Sequence, residues 1–540
     1  MATKIDNPAP AESVVRSAGL VSVAMAMSRV TGLLREIVMA RLFGAGFVYD
    51  AFLLGFRIPN LTRDLFAEGA LSSAFVPIFT QTLEHKGRRE AAQLSNLVGT
   101  ALIIVVGLFC LAGIVFTPAW VNLLASGFHQ VPGKFELTVK LTRIMFAFLL
   151  LVALAAQAMG VLNACNRFAV PALASTFFNI GSVTFGLILG YVLGPHLGID
   201  PITGMAIGVV LGGALQLAWQ LPSLRAEGFR FRPALDWNHP LLRKIFRLMG
   251  PAILGNAAVQ INVLVITNFA SRIPGNGPVS WLGYSFRFMQ LPLGLFGVAI
   301  ASATLPSISR SAGIGDFAEF RRTLSRSLGM VFLLTVPSSV GLIVLGRTMI
   351  GAIYQGGKFS AYDTEQTALA LSCYALGLAG YSALKVLNPA FYALHDARTP
   401  MIVSLLSIVV NYFTASLLFR HSGLGHAGLA LSTAAVATFG GVALFLILRN
   451  RIGGIYGRNL MDSVWKIIVA SAVMGAAVLL SSRAIEGVLG AGRLGRLVDL
   501  AASIPLGLLV FYAACRILRV TELELATRAL FRDNRLSDLA

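Results

Sequence analysis

The sequence predicts an all-α polytopic membrane protein with about fourteen transmembrane helices. Its mean hydropathy is +0.77, and 56% of its 540 residues are hydrophobic while only 12% are charged. Soluble domains carry about 25% charged residues. Because a membrane-spanning helix needs about 20 mostly apolar residues, the long apolar runs of this chain predict a large helical bundle. The polar gaps between them are too short for a sizeable soluble domain.

The apolar runs form two sets of six and a final pair. The predicted spans are 14–39, 48–83, 92–118, 138–163, 171–193, 202–222, 248–270, 278–305, 327–346, 366–394, 400–419, 426–448, 464–482 and 498–515. They divide the chain into an N-lobe (1–223), a basic connector (224–247), a C-lobe (248–450) and a last segment (451–540) with two helices and a tail. A shift of 230 residues lays Phe286-Arg287 over Phe56-Arg57. This weak repeat favours two lobes of equal orientation around a central cavity.

The distribution of lysine and arginine predicts the orientation of the chain. Alternate gaps between spans hold about 26 basic residues on one side and about 10 on the other, and the richer side of a membrane protein faces the cytoplasm. Both termini are therefore predicted to be cytoplasmic. The same rule accounts for the net charge of +19, so we expect no nucleic-acid partner.

Several cations lie inside the predicted spans, where charge is costly. They are Arg29, Arg35, Arg57, Arg63, Arg143, Arg287 and Lys385, against the acids Glu36, Asp64 and Glu68, with Asp50 at a rim. Since an arginine near a helix centre costs about 2.5 to 3.5 kcal/mol, a surplus of about four facing lipid would cost on the order of 10 kcal/mol. We therefore expect them to face a water-filled cavity. The planar fork of arginine suits phosphate oxygens, which predicts a polyanion site near the middle of the membrane.

Simpler explanations stay open for some of these residues. Arg35 and Arg143 lie close to span ends and could reach the interface by snorkelling. Arg57 could pair with Asp50 or with Asp64, and Lys385 could belong to a gate or to a coupling-ion site. Arg29, Arg63 and Arg287 lie too deep for snorkelling.

The pattern is typical of a transporter and not of an enzyme. The sequence has no nucleophile and base pairing, no phosphate-cradling loop and no ATP-binding signature. We expect no cofactor, and an energy source that is either the membrane potential or a monovalent cation gradient. An anion channel is an alternative of another class. A multidrug exporter fits less well, because cationic drugs would require membrane acids.

Long motifs then resemble the MurJ (MviN) family of lipid II flippases, within the multidrug/oligosaccharidyl-lipid/polysaccharide (MOP) exporter superfamily. They are SRVTGLLREIVMARLFGAG (28–46), YDAFLLGFRIPNLTRDLFAEGALSSAFVPIF (49–79), MGPAILG (249–255), PVSW (278–281), LPLGLFGVAI (291–300) and GKF (357–359). The resemblance covers nearly the whole chain. It implies alternating-access movement of the undecaprenyl-pyrophosphate-linked peptidoglycan precursor across the bacterial inner membrane, for cell wall synthesis. A flippase for another undecaprenyl-linked glycan is the nearest alternative.

The resemblance also implies which residues bind substrate. The family's cavity positions fall here on Arg29, Arg35, Arg63 and Arg287, with further positions at Asp50, Arg57 and Asn60. It implies that the last two helices form a groove for the polyprenyl tail. Expected partners are lipid II, membrane lipids and other wall-synthesis proteins, with the chain itself a monomer.

The chain departs from the family in two respects. Phe286 and Gln290 flank Arg287 where some relatives carry acids. No acidic cluster is visible in the seventh, eleventh and twelfth spans, so no sodium site is carried over from the family.

Overall fold

The computed structural model describes residues 10–63, 71–421, 423–455 and 457–532. Apart from one isolated β-bridge between Gly356 and Phe359, these residues form helices and their connections. The all-α prediction is therefore confirmed. The chain divides into two compact units, Met1–Gln260 and Ile261–Ala540, with the division inside one long helix.

The first unit is built from eight helices and the start of a ninth. They are α1 (Pro10–Phe43), α2 (Phe47–Arg63), α3 (Ser72–Val115), α4 (Thr117–Ala125), α5 (Lys134–Ala164), α6 (Ala169–Leu187), α7 (Gly194–Leu197), α8 (Pro201–Ala226) and α9 (Pro240–Ser271). A 3₁₀ helix, Ser126–Gln130, precedes α5, and a π-helical turn, Ile188–Val192, ends α6.

The second unit contains the rest of α9 and ten further helices. They are α10 (Pro278–Pro292), α11 (Ala299–Gly313), α12 (Phe317–Ile353), α13 (Ala361–Ala375), α14 (Leu378–Ala393), α15 (Arg398–His421), α16 (His426–Arg451), α17 (Gly457–Leu489), α18 (Arg493–Ile517) and α19 (Thr521–Arg532). A π-helical turn, Leu293–Val298, joins α10 to α11.

The predicted count of fourteen spans is not confirmed. Within the described ranges, ten helices are long and apolar enough to cross a membrane, and the pair α13 and α14, bent by 43°, makes an eleventh if it is one span. The other three predicted spans coincide with α1, α2 and α9. Arginines interrupt the apolar runs of α1 and α2, and the apolar stretch of α9 among the described residues is 257–271.

One predicted boundary differs from the structure, and another span extends beyond the described residues. Of the predicted span 48–83, the structure describes α2 up to Arg63 and α3 from Ser72, and α3 runs on through a break at Gly87, whose φ is +84°. The connector predicted at 224–247 already contains the first turns of α9, which begins at Pro240. Proline suits the first position of a helix, because the N–H that it lacks would have no partner within the helix there. A helix start at Pro240 is consistent with this preference.

Small residues bring α6 and α8 into close contact in the first unit. A Cβ on Gly208 would lie 2.5 Å from the carbonyl oxygen of Ser182 and 2.6 Å from the Cα of Gly186. Gly212 meets the same helix at 2.8 Å from the carbonyl oxygen of Phe178. Small residues at such crossings let helix backbones approach in membrane proteins. The pair α6 and α8 thus forms a tightly packed wall.

The second unit has two apolar clusters that both use α12. One joins α12 to α14 and α16 around Phe320, Phe391 and Leu448. The other joins α12 to α17 and α18 around Leu345 and Phe511. The last two membrane helices are therefore attached to the second unit through α12.

Candidate substrate-binding site

The arginine-bearing helix α1 is fixed to α6 in the first unit. The Asn179 side-chain amide donates to the carbonyl oxygen of Ser28 at 3.2 Å and to the Thr31 hydroxyl at 3.3 Å. Asn179 itself is buried, whereas Arg29, between the two contacted residues, is exposed. The hydrogen bonds therefore hold the backbone of α1 on one side and leave the Arg29 guanidinium on the other.

An aromatic row connects α1 to α2 through the interior of this unit. The Arg35 guanidinium carbon lies 5.3 Å from the centroid of the Phe178 ring. Phe178 lies 5.2 Å from Phe148, and Phe148 lies 5.7 Å from Phe56. A guanidinium over an aromatic face gains about 0.5 to 2 kcal/mol. Arg35 is therefore held over the Phe178 ring, and its depth in the membrane stays a prediction.

The predicted site residues of α2 lie on a helix that is packed closely on α5. A Cβ on Gly55 would lie 2.9 Å from the Met145 methyl carbon and 3.3 Å from the Thr142 hydroxyl. Beyond this contact, Arg57, Asn60 and Arg63 are half-buried. The structure therefore places Arg29 and Arg35 on α1 and Arg57, Asn60 and Arg63 on α2 of the same unit, and their contact with substrate stays a prediction.

Asp50 is placed differently from the other predicted site residues. Its carboxylate lies 2.8 Å from the Lys134 ammonium, and the two side chains are 0% and 3% exposed. The ammonium also lies 4.4 Å from the centre of the Phe128 ring. In this conformation Asp50 faces Lys134 and not solvent, so direct contact with substrate would require this pair to open.

Lys134 is the charged residue that sequence reasoning missed. It was assigned to a polar gap between spans, but it begins α5 directly after Gly133, whose φ of +79° suits glycine. Its neighbours in the sequence, HQVPGKFE, give no signal of burial.

The predicted residues of the second unit lie on separate helices. Arg287 is exposed on α10, six residues before the π-helical turn, and Phe286 stacks edge-on against Tyr374 at 5.4 Å. Lys385 is exposed on α14, and Arg143 of the first unit is exposed on α5. Asp64 and Glu68, two predicted acid partners, lie outside the described residues.

Among the described residues, no group of three or more His, Cys, Asp and Glu side chains is arranged to hold a metal ion. The surroundings of the site are instead cationic and aromatic. Such groups can bind a phosphate ester through guanidinium forks. They offer no nucleophile aligned with a base.

Comparisons with known proteins agree with this arrangement. The profile of the family described as "Lipid II flippase MurJ" matches residues 39–495. The lipid II flippase MurJ of Burkholderia cenocepacia is 36% identical over 438 residues, covering 80% of this chain and 82% of the relative. The probable lipid II flippase MurJ of Vibrio cholerae is 34% identical over 530 residues, covering 95% and 98%.

Solved structures give the same result at the level of the fold. A structure titled "Lipid II flippase MurJ, inward closed conformation" superposes with a TM-score of 0.75 at 25% identity, covering 92% of this chain and 99% of that one. An inward-facing multidrug resistance MATE transporter of the MOP superfamily shares the fold, with a TM-score of 0.64 at 14% identity over 80% of this chain and 94% of that one. The sequence match over most of its length, carried on this fold, shows that the chain belongs to the MurJ family of lipid II flippases.

Proposed function

We propose that this protein moves lipid II from the inner to the outer leaflet of the bacterial cytoplasmic membrane by alternating access. Family membership supports the substrate and the transport reaction. The observation that carries the mechanism is the set of arginines on α1 and α2, exposed or half-buried on helices that are themselves firmly packed. Fixed guanidinium groups are suited to a pyrophosphate.

In this mechanism the arginines of the first unit bind the pyrophosphate from the cytoplasmic side. Arg287 of the second unit supplies a further cation. A headgroup that binds arginines of both units would favour the closed state of the protein. The headgroup would then be released at the outer leaflet. With the membrane potential negative inside, outward movement of the headgroup is downhill by about 2.3 kcal/mol per charge per 100 mV. Either this potential or a monovalent cation gradient supplies the energy, with both termini cytoplasmic.

The test is lipid II transport by the purified protein in liposomes. A membrane-impermeant reagent quenches the fluorescence of labelled lipid II that reaches the outer leaflet. The rate at which fluorescence is lost measures the rate of flipping. Arg29→Ala, Arg63→Ala and Arg287→Ala should each abolish it, while Arg143→Ala, an exposed arginine on α5, should retain it. Full transport in the three variants would remove the arginines from the mechanism.

The same assay distinguishes lipid II from the alternative substrate, another undecaprenyl-linked glycan. An undecaprenyl-linked glycan without the peptide should move more slowly than lipid II. Equal rates would mean that the protein selects the shared pyrophosphate and not the peptidoglycan precursor. Steady ionic conductance in planar bilayers without lipid II would favour an anion channel instead.

A further inference from the structure

A cleft lies where the turn between α17 and α18 meets the end of α12, within the second unit. Its enclosed part is small, about 20 Å³ or roughly one water molecule, and the rest of the cleft is open to solvent. Its lining includes Arg347, Thr348, Glu486, Gly495, Arg496 and Asp499. The proposed transport mechanism uses none of these residues. In the orientation proposed above, the cleft opens on the side of the membrane opposite the chain ends.

The two arginines of the cleft are held in different ways. The Arg496 guanidinium packs on the backbone of α12, since a Cβ on Gly351 would lie 2.5 Å from its Nη1 atom. Nη1 also donates to the Gln355 side-chain oxygen at 2.7 Å. Arg347 lies 3.4 Å from Glu365, and both side chains are more than half exposed. Exposed ion pairs contribute little, so Arg347 can exchange Glu365 for a ligand at small cost.

The two acids of the cleft also differ. Asp499 is buried, and its carboxylate accepts hydrogen bonds from the hydroxyls of Thr348 at 3.1 Å, Ser482 at 2.6 Å and Ser503 at 2.7 Å. Its hydrogen-bonding capacity is thus used within the protein. Glu486 is exposed at the rim. The cleft therefore offers an incoming group two guanidinium groups and one accessible carboxylate.

Apolar side chains surround the mouth of the cleft. Val488 at the end of α17 is 84% exposed, and Leu494 in the first turn of α18 is 80% exposed. Both helices are candidate membrane spans, so these side chains lie at a helix end where lipid chains and headgroups meet. The first turn of α18 adds N–H groups without a side-chain cap, which favour an anion.

We propose that this cleft binds the headgroup of a phospholipid that carries both a phosphate and a primary amine. The phosphate lies between Arg347 and Arg496, the ammonium donates to Glu486, and the acyl chains run along the apolar side chains at the mouth. A glycerol headgroup has no cation to pair with Glu486 and could donate to it only through neutral hydroxyls, which form weaker hydrogen bonds than an ammonium. A quaternary amine could not donate a hydrogen bond to it.

The test measures lipid binding to the full-length protein in detergent by native mass spectrometry. Dioctanoyl phosphatidylethanolamine should bind about tenfold more tightly than the phosphatidylglycerol and phosphatidylcholine analogues, the effect of one charge-assisted hydrogen bond. Arg347→Gln should weaken the binding of phosphatidylethanolamine by about tenfold. Glu486→Gln should remove the preference of the protein for phosphatidylethanolamine over phosphatidylglycerol. Arg483→Gln, an exposed arginine of α17 outside the cleft, is the matched control and should change nothing.

Each contrary outcome is decisive. Equal binding of the three lipids, or an unaltered affinity in Arg347→Gln, overturns the proposal. An equal loss in Arg483→Gln shows general attraction to basic residues and overturns it too. Displacement of the lipid by inorganic phosphate at equal concentration identifies a free-anion site and excludes the lipid. All these readouts are independent of lipid II transport.

Discussion

The Lys134 ammonium and the Asp50 carboxylate form an ion pair of 2.8 Å in which both side chains are buried. The pair links the first turn of α2 to the first turn of α5. Each charge of the pair offsets the burial of the other, because an isolated charge in the protein interior is strongly unfavourable. Asp50 thereby positions α2, which carries Arg57, Asn60 and Arg63.

Removing one member of this pair should destabilise the protein more than removing both. Lys134→Met leaves the Asp50 carboxylate buried without its partner, which costs about 3 to 5 kcal/mol. In Asp50→Asn with Lys134→Met no charge remains, and most of the loss should be recovered. The measurement is the free energy of unfolding of the four proteins in detergent, read as a double-mutant cycle. Strictly additive losses would show that the two side chains do not interact.

Arg35→Lys distinguishes a guanidinium site from a simple positive charge. Lysine keeps the charge but loses the planar fork and most of the stacking on Phe178. Lipid II transport should fall by about tenfold, as expected for one lost charge-assisted hydrogen bond. Arg143→Lys, on an exposed arginine, serves as the control. Wild-type transport by Arg35→Lys would return this residue to the snorkelling interpretation.

Gly208→Ala should disturb the contact between α6 and α8. The added methyl group would meet only backbone atoms, 2.5 Å from the Ser182 carbonyl oxygen and 2.6 Å from the Gly186 Cα, which cannot rotate away. We expect a loss of about 1 to 3 kcal/mol, seen as a lower Tm. Gly107→Ala is the matched control, because nothing lies within 4 Å of its added Cβ. An unchanged Tm for Gly208→Ala would mean that the two helices separate easily.

Asp396 should make the stability of the second unit sensitive to acid. It lies in the turn between α14 and α15 and accepts hydrogen bonds from the Thr399 hydroxyl at 2.7 Å and backbone N–H at 3.0 Å, and from Arg451 of α16. These contacts lower its pKa from 3.8 to about 2. The stabilisation is therefore fully present above pH 3.8 and is lost as the pH falls through about 2.

The measurement compares Tm values of the wild type and Asp396→Asn at pH 6, 3 and 2. The difference between the two proteins should be largest at pH 6 and should shrink towards pH 2. Glu84→Gln, which removes an exposed carboxylate of α3, should show no such trend. A difference that is constant with pH would assign the effect to the shape of the asparagine and not to charge.

Hydropathy predicted the helices well, because whether a segment forms a membrane helix depends mainly on the residues of that segment itself. Within the described residues, each predicted span lies almost entirely in helical structure, including α13 and α14, which the sequence predicts as a single span. The bend between them follows from tertiary contact: a Cβ on Gly377 would lie 2.6 Å from the Cα of Ala434 on α16. No local pattern contains that information.

The sequence predicts those residues of the candidate site whose charge lies inside an apolar span, because a charge there is energetically costly. That reasoning selected Arg29, Arg35, Arg57, Arg63 and Arg287, whose contact with substrate stays a prediction. It missed Lys134, because a lysine in a polar gap carries no anomaly until the partner is known. The family resemblance implied that Asp50 is a cavity residue, whereas its burial against Lys134 depends on which cation the fold brings to it.

The aromatic row from Arg35 through Phe178 and Phe148 to Phe56 acts as a spacer of fixed length. The rings are tilted against one another by 34° and 41° within a close-packed interior, which resists compression. The row therefore keeps α1 at Arg35 and α2 at Phe56 a fixed distance apart. In the proposed mechanism, a headgroup bound by both helices would have to match that spacing.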